Sequence, residues 1–286
     1  MAQIDNVKGL IIDMDGVLWH GNNPITGLVA FFSILRKIDL PFVLATNNAS
    51  LTQQQYIDKL AKMGVTVVAG EVLTSSMATA SYLAKQQSQD KKRVFVIGEQ
   101  GLREPLESHG FTLTDLYEVD GNDDMRGADL VVSGLDRMLT WDKLATATLN
   151  IKKGAAFYAT NVDTTLPTEL GDVMGNGGTI AALEASTGVK AFSIGKPEPI
   201  LYQQALQSLG TTQAETVAIG DRLNTDILGA VNAGIRSILV LTGISGRQEL
   251  SEVDYQPTWV MDDLAAITHV LRDTFLNDAV EKKENK

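Results

Sequence analysis

Lys8-Gly9-Leu10-Ile11-Ile12-Asp13-Met14-Asp15-Gly16-Val17-Leu18 decides how this chain is read. An apolar run leads straight into two carboxylates separated by one residue. In an extended chain residues i and i+2 point to the same side, so Asp13 and Asp15 flank one reacting centre if the strand persists that far. Gly16 then lets the backbone turn sharply. Such a pair can hold a hard cation, and one member can attack phosphorus while the other handles a proton. Aspartates near strand ends are also ordinary turn and helix-start residues, so the pattern needs support from the rest of the chain.

Outward from this stretch, short runs of Val, Ile and Leu alternate with longer helical patterns, the signature of a mostly parallel sheet covered by helices. Strands are expected at Leu10–Asp13, Phe42–Ala45, Val94–Ile97, Leu130–Ser133, Ala156–Ala159, Thr216–Ile219 and Ser237–Leu241. Helical periods over Leu51–Met63 and Pro199–Leu209 are followed by Gly64 and Gly210 as C-caps. The fold class is therefore α/β, with a doubly wound, Rossmann-like core. One sheet holding every run would be unusually wide. The sequence thus predicts residues 1–85 and 186–277 as two parts of a core, 86–185 as an inserted α/β cap domain, and 278–286 as a charged, frayed tail.

Composition narrows the function. A hydrophobic fraction of 44% over 286 residues supports a real core. A formal net charge of -11 argues against nucleic-acid partners, which call for a basic face. Any phosphate site must then be locally positive, through a metal, a lysine or backbone N–H groups. The absence of cysteine excludes disulfides, thiolate metal sites and cysteine nucleophiles. No run approaches the ~20 apolar residues that span a bilayer, and Met1-Ala2-Gln3-Ile4-Asp5 lacks the blocks of a signal peptide, so a cytoplasmic chain without a membrane partner is expected. His20, His109 and His269 are scattered without a metal-ligand spacing. No Gly-x-x-x-x-Gly-Lys-Ser/Thr loop is present.

Three later segments add chemistry. Ala45-Thr46-Asn47-Asn48-Ala49-Ser50 follows a strand, where an α/β sheet binds ligand. There the Thr46 hydroxyl and the N–H groups of Asn47 and Asn48 can face an anion, although the cluster also suits a helix N-cap. Lys196, in Gly195-Lys196-Pro197-Glu198-Pro199, offers a point charge from a fixed loop. Val217-Ala218-Ile219-Gly220-Asp221-Arg222-Leu223-Asn224-Thr225-Asp226-Ile227 repeats the opening logic of apolar strand, glycine and carboxylates. Asp221 can complete a magnesium shell with Asp13, and Asp226 can brace its waters or Lys196. Gly175-Asn176-Gly177-Gly178 reads as a hinge or helix lead-in rather than a phosphate loop. Trp19-His20-Gly21 reads as a small flap, with Trp19 packing or excluding water.

In this order, Asp13-Met14-Asp15-Gly16-Val17-Leu18, Thr46-Asn47-Asn48-Ala49-Ser50, Gly195-Lys196-Pro197 and Gly220-Asp221 through Ile227 resemble the four motifs of the haloacid dehalogenase-like hydrolases. They look most like the NagD and p-nitrophenylphosphatase branch, with its large cap between the second and third motifs. Ile97-Gly98-Glu99-Gln100-Gly101-Leu102 and Ala159-Thr160-Asn161-Val162-Asp163 resemble cap segments of that branch, with Val162 where the family often has proline. The resemblance implies a phosphatase with Asp13 as nucleophile and Asp15 as general acid and then base. It implies Mg2+ held by Asp13, the Asp15 carbonyl and Asp221, and phosphoryl charge stabilised by Thr46, Asn47 and Lys196. Asn48 is a further candidate at the phosphate, and Asn161 and Asp163 are the candidates facing the leaving group. The implied substrate is a small phosphorylated metabolite: a nucleotide, a sugar or glycerol phosphate, phosphoglycolate, pyridoxal phosphate or p-nitrophenyl phosphate. A homodimer formed through the cap is compatible with it. Rival readings are a phosphotransferase using the same aspartyl-phosphate, and a receiver-like or regulatory phosphate-binding protein without turnover.

Overall fold

The computed structural model describes residues 4–88, 90–121, 126–168 and 170–277, and the expected tail at 278–286 lies outside them. The chain divides into two compact units. The first comprises the residues up to Ala45, Ile57–Leu73 and those from Lys196 onward, and the second comprises Thr46–Tyr56 and Thr74–Gly195.

The first unit is built on a sheet in the order Trp259–Met261, Arg236–Val240, Thr216–Gly220, Gly9–Ile12, Phe42–Thr46, Val72–Thr74. Gly9–Ile12 runs parallel to both Thr216–Gly220 and Phe42–Thr46, with Ile12 opposite Ile219 on one side and Leu44 on the other. Every residue of these three strands is buried. That is why they read as unbroken apolar runs: in a parallel sheet covered on both faces neither side chain set meets water. The register also fixes where the chemistry emerges. Asp13 follows Ile12 and Asp221 follows Gly220, so both leave the same carboxyl edge of the sheet.

The second unit has its own parallel sheet, ordered Phe192–Ser193, Ala156–Ala159, Leu130–Ser133, Arg93–Ile97, Thr112–Leu113. Alternate residues feed two separate cores, as the two-residue period of a strand requires. Phe95, Ile97, Val131, Phe157 and Ala159 pack with Ala147, Ile151, Ile180 and Leu183. Val94, Val96, Leu130 and Val132 pack instead with Ala80, Leu83, Leu102 and Leu106. These partners lie on the helices Trp141–Lys152 and Asn176–Thr187 for one face, and Ser75–Gln86 and Gln100–Ser108 for the other.

All seven expected strands are present, with ends within a residue or so of the expected ones. The expected helices are Gln53–Lys62 and Pro199–Leu209, and Gly64 and Gly210 both take positive φ at their ends. Asn176 opens a helix directly, so Gly175-Asn176-Gly177-Gly178 is a helix lead-in. The strands that sequence did not yield are short: edges such as Val72–Thr74, Thr112–Leu113 and Phe192–Ser193, and the antiparallel pairs Trp19–His20 with Asn23–Pro24 and Thr165–Thr168 with Gly171–Met174.

One glycine shows how tightly the second unit is closed. A Cβ on Gly101 would lie 2.4 Å from the carbonyl oxygen of Leu51 and 2.6 Å from that of Ala49. Both obstacles are backbone and cannot swing aside. Gly101→Ala should therefore cost about 1–3 kcal/mol of stability, read as a lower urea midpoint by circular dichroism. An unchanged midpoint would show that this approach is looser than described.

Candidate active site

In the first unit the Gly9–Ile12 strand delivers Asp13, whose N–H donates to the carbonyl of Ile219 at 2.8 Å. The chain then folds back: the N–H of Leu18 donates to Met14 O at 2.8 Å and that of Gly16 to Trp19 O at 2.9 Å. Gly16 sits at φ +85, a conformation that side chains disfavour. The expected flap is a short antiparallel hairpin of Trp19–His20 against Asn23–Pro24. Trp19 is fully buried, and its indole N–H donates to Asp15 Oδ1 at 2.7 Å.

Lys196 is 2% exposed. Its ammonium donates to Asp13 Oδ1 at 2.5 Å, to Asp226 Oδ1 at 2.6 Å and to the carbonyl of Ala45 at 3.0 Å. Burial alone would push this ammonium down, but the carboxylates of Asp13 and Asp226 override it and hold it well above the usual lysine range. Asp226 is itself fixed. Its Oδ2 accepts from the N–H of Arg222 at 3.0 Å, and its carbonyl accepts from the Tyr202 hydroxyl at 2.9 Å.

Asp221 is 1% exposed. Its Oδ2 accepts from the N–H of Ile244 at 2.8 Å, while Oδ1 is buried with no hydrogen-bond partner. Glycines make room for this carboxylate, since a Cβ on Gly16 or Gly243 would stand 2.3 or 1.9 Å from Oδ2. Carboxylate oxygens of Asp13, Asp221 and Asp226 lie within 4.8 Å of one another. Burial pushes the Asp13 carboxyl well above the usual range against the pull of Lys196, with Asp226 and Asp221 adding repulsion. Burial, followed by repulsion from Asp226, pushes Asp221 up to about 7. An all-oxygen donor set with one orphaned, buried carboxylate oxygen fits a hard divalent cation.

The remaining expected site residues belong to the second unit. Thr46 Oγ1 accepts from the N–H of Asn48 at 3.0 Å, and Asn48 Oδ1 accepts from the hydroxyl of Ser50 at 2.7 Å and its N–H at 3.1 Å. Asp163 Oδ2 accepts two amides, from Asn161 at 2.5 Å and from Asn47 at 3.1 Å. Asn161 is buried, and its Oδ1 accepts from the hydroxyl of Thr160 at 3.0 Å. Its carbonyl accepts from the amide of Asn176 at 2.8 Å. The structure thus brings together Asp13, Lys196, Asp221 and Asp226 in one unit, and Asn47, Asn161 and Asp163 in the other.

Sequence reasoning passed over several contributors. The Thr242–Ser245 turn supplies the Ile244 N–H to Asp221 and ties Thr242 Oγ1 to the carbonyl of Gly16 at 2.7 Å. The available signal was Gly243, two residues beyond an expected strand end. In the sequence Asn176 stands out only as part of a glycine-rich lead-in, yet it is buried and joins Asn161 to Ser133.

Residues 10–112 match the family model described as haloacid dehalogenase-like hydrolase, and residues 193–267 match a second one described as HAD-hydrolase-like. The 5'-nucleotidase YutF of Bacillus subtilis is 40% identical over 257 residues, covering 90% of this chain and 96% of the relative. An acid sugar phosphatase of Staphylococcus haemolyticus is 38% identical over 259 residues, 91% and 94% of the two chains. Among solved structures, NagD from E. coli K-12 superposes with a TM-score of 0.81 at 35% identity, covering 91% of this chain and 98% of that one. Among the described residues no helix is long and apolar enough to cross a membrane. Motif order, sheet topology and near full-length similarity agree: this chain belongs to the haloacid dehalogenase-like hydrolase family, as a member of its NagD-like branch of phosphatases.

Proposed function

We propose that this chain is a magnesium-dependent phosphomonoesterase that hydrolyses small phosphorylated metabolites through an aspartyl-phosphate on Asp13. The observation that carries this reading is the Lys196 ammonium buried between Asp13 and Asp226, in one cluster with the unpartnered Oδ1 of Asp221. An anionic phosphoryl group can approach an anionic nucleophile only where positive charge has been arranged beforehand. Three crowded carboxylates against one ammonium leave the cluster short of it. Asp13, the Asp15 carbonyl and Asp221 are the set that would hold Mg2+, with Asp226 anchoring Lys196. When bound, the cation supplies Lewis-acid polarisation and charge neutralisation at the phosphoryl group.

Asp13 attacks phosphorus, the bond from phosphorus to the leaving oxygen breaks, and Asp15 gives its proton to that oxygen. Asp15, now a carboxylate, takes a proton from water as the water oxygen attacks phosphorus. The bond to Asp13 then breaks and phosphate leaves. Splitting the reaction lets one carboxyl serve first as acid and then as base. Lys196 holds Asp13 in orientation and stabilises charge on the transferring oxygens. Thr46 and Asn47 are assigned the remaining phosphoryl oxygens. Since Thr46 Oγ1 already accepts from the N–H of Asn48, its own proton is left to donate.

Leaving-group choice is assigned to the second unit. Both Asn161 and Asp163 are candidates there, and Asp163 keeps Oδ1 outside the two amide bonds made by Oδ2. The names of the relatives, a 5'-nucleotidase and acid sugar phosphatases, put nucleoside monophosphates and sugar phosphates first among substrates to try.

Phosphate release from a panel of phosphorylated metabolites should require Mg2+ and stop with excess chelator. Asp13→Asn should lower kcat at least ~10³-fold while circular dichroism shows the fold intact. Retained turnover in that variant would remove Asp13 as nucleophile.

A pH dependence follows from Asp221. A carboxyl raised to about 7 favours the cation-free fold while it holds its proton, and this contribution is lost as pH rises through about 7. The same proton competes with a cation. Calorimetry should therefore find Mg2+ bound about tenfold more weakly at pH 6 than at pH 8. An affinity that does not change across that range would show that no proton on Asp221 competes with the cation there.

A further inference from the structure

We propose that Trp19 is a positioning residue for Asp15: its indole N–H holds the carboxyl so that the second oxygen, Oδ2, delivers the proton to the leaving group. The inference rests on the reading of Asp15 as general acid and assigns the control of its geometry, which that reading leaves open.

Indole N–H is a donor without acceptor capacity. The oxygen it faces, Asp15 Oδ1 at 2.7 Å, must therefore present a lone pair, and a proton on this carboxyl belongs on Oδ2. A short aspartate has few other ways to be fixed, because its last torsion is broad and roughly two-fold. The ring that does the fixing is itself closely packed. Trp19 is 0% exposed, its strand pairs with Asn23–Pro24, its carbonyl accepts from the N–H of Gly16, and Asp15 and Trp19 form an isolated bridge. Lys59 closes over it, with Nζ 4.2 Å from the ring centroid. A cation on the face of an indole is attracted to the ring's negative quadrupole and draws electron density from the N–H, making it the better donor. Lys59 is drawn in at some cost: burial pushes its ammonium down, and the charge of Asp15 pulls it back up.

The bond matters most after proton transfer. As the leaving oxygen takes the proton from Oδ2 and the bond to phosphorus breaks, negative charge appears on the Asp15 carboxylate. The indole N–H then becomes a charge-assisted donor to Oδ1.

A structural role alone would make Trp19 a core aromatic whose loss lowers activity on every substrate. A positioning role has a different signature, because only a poor leaving group needs the proton. The test compares kcat/KM, which reports events up to aspartyl-phosphate formation, for p-nitrophenyl phosphate and for an alkyl phosphate the wild-type protein hydrolyses. Asp15→Asn sets the scale, with a loss of roughly 10²–10⁴-fold on the alkyl ester and a much smaller one on the nitrophenyl ester. Trp19→Phe should lose about tenfold or more on the alkyl ester and no more than about twofold on the nitrophenyl ester, since misplacing an acid removes part of its contribution. Should Trp19→Phe fail to fold, Trp19→benzothienylalanine keeps the ring volume and replaces only the N–H by sulfur, and it should show the same selectivity. Equal losses on both esters, or none, from a folded Trp19 variant would overturn the proposal while Asp15→Asn still behaves as an acid. A uniform loss from Asp15→Asn would overturn the assignment of Asp15, and with it the role of Trp19.

Discussion

A single buried ammonium ties together three stretches of chain that lie far apart in sequence. Lys196 reaches Asp13 across 183 positions, the Ala45 carbonyl across 151 and Asp226 across 30. Stability is a poor reason for such an arrangement. Burying an ion pair costs desolvation that its attraction only partly offsets, and apolar replacements of similar volume are often as stable or more so. Charge counting gives a better reason. Asp13, Asp221 and Asp226 crowd together with one ammonium among them, so the cluster is unbalanced unless it takes up protons or a cation. The upward displacement of Asp13 and Asp221 is the first solution, and a divalent ion would be the second. Protons and metal are thus competitors for one shortage of positive charge, which is a useful property where a dianionic ester must be received.

The sheet makes this crowding possible. Because Ile12 sits beside both Ile219 and Leu44, the residues that follow leave one edge in fixed register. A slip of one residue would turn each motif to the opposite face. Glycine then sets the final distances. Gly16 and Gly243 hug the Asp221 carboxylate, and a Cβ on Gly220 would stand 2.2 Å from that of Asp226. Carboxylates that would otherwise spread apart in solvent are packed against main chain, and backbone N–H groups of Ile244 and Arg222 take up one oxygen of each.

Much of this was legible in the sequence because the central strands are buried on both faces and their carboxylates follow immediately. Asp13, Asp221 and Lys196 carry their chemistry in their side chains, so residue type and order suffice to suggest them. The contributors that escaped notice act differently. Ile244 serves through its backbone N–H, which leaves no trace in residue type, and Asn176 serves as a buried bridge rather than a ligand. Trp19 is recognisable as a flap residue, but its bond to Asp15 depends on a turn closed by Gly16 and Thr242, residues 226 positions apart. Edge strands such as Thr112–Leu113 are too short to show a period at all.

The loop at Asn161–Asp163 shows why substrate preference is the least legible property of the chain. The turn carries Val162 between its two polar residues, and it is supported from behind. Gly175 and Gly177 let the helix Asn176–Thr187 begin against the loop's own carbonyls: the N–H of Gly177 donates to Asp163 O at 2.8 Å, and a Cβ there would lie 2.7 Å from Val162 O. Asn176 pins Asn161 and is held in turn by Ser133, at the end of a different strand. The Asn161 side chain and carbonyl, Asp163 Oδ2 and the Asp163 carbonyl are thus engaged by neighbours in their own unit, which holds the loop's shape before any ligand arrives and reduces the ordering cost of binding one. The half-buried Asp163 carboxylate, held through Oδ2 by two amides, is a pre-set acceptor in that frame. On the role proposed for it above, such an acceptor would favour hydrogen-bond donors on the leaving group, a property many alcohols share, and this is why a sequence that specifies the reaction so closely leaves the alcohol open.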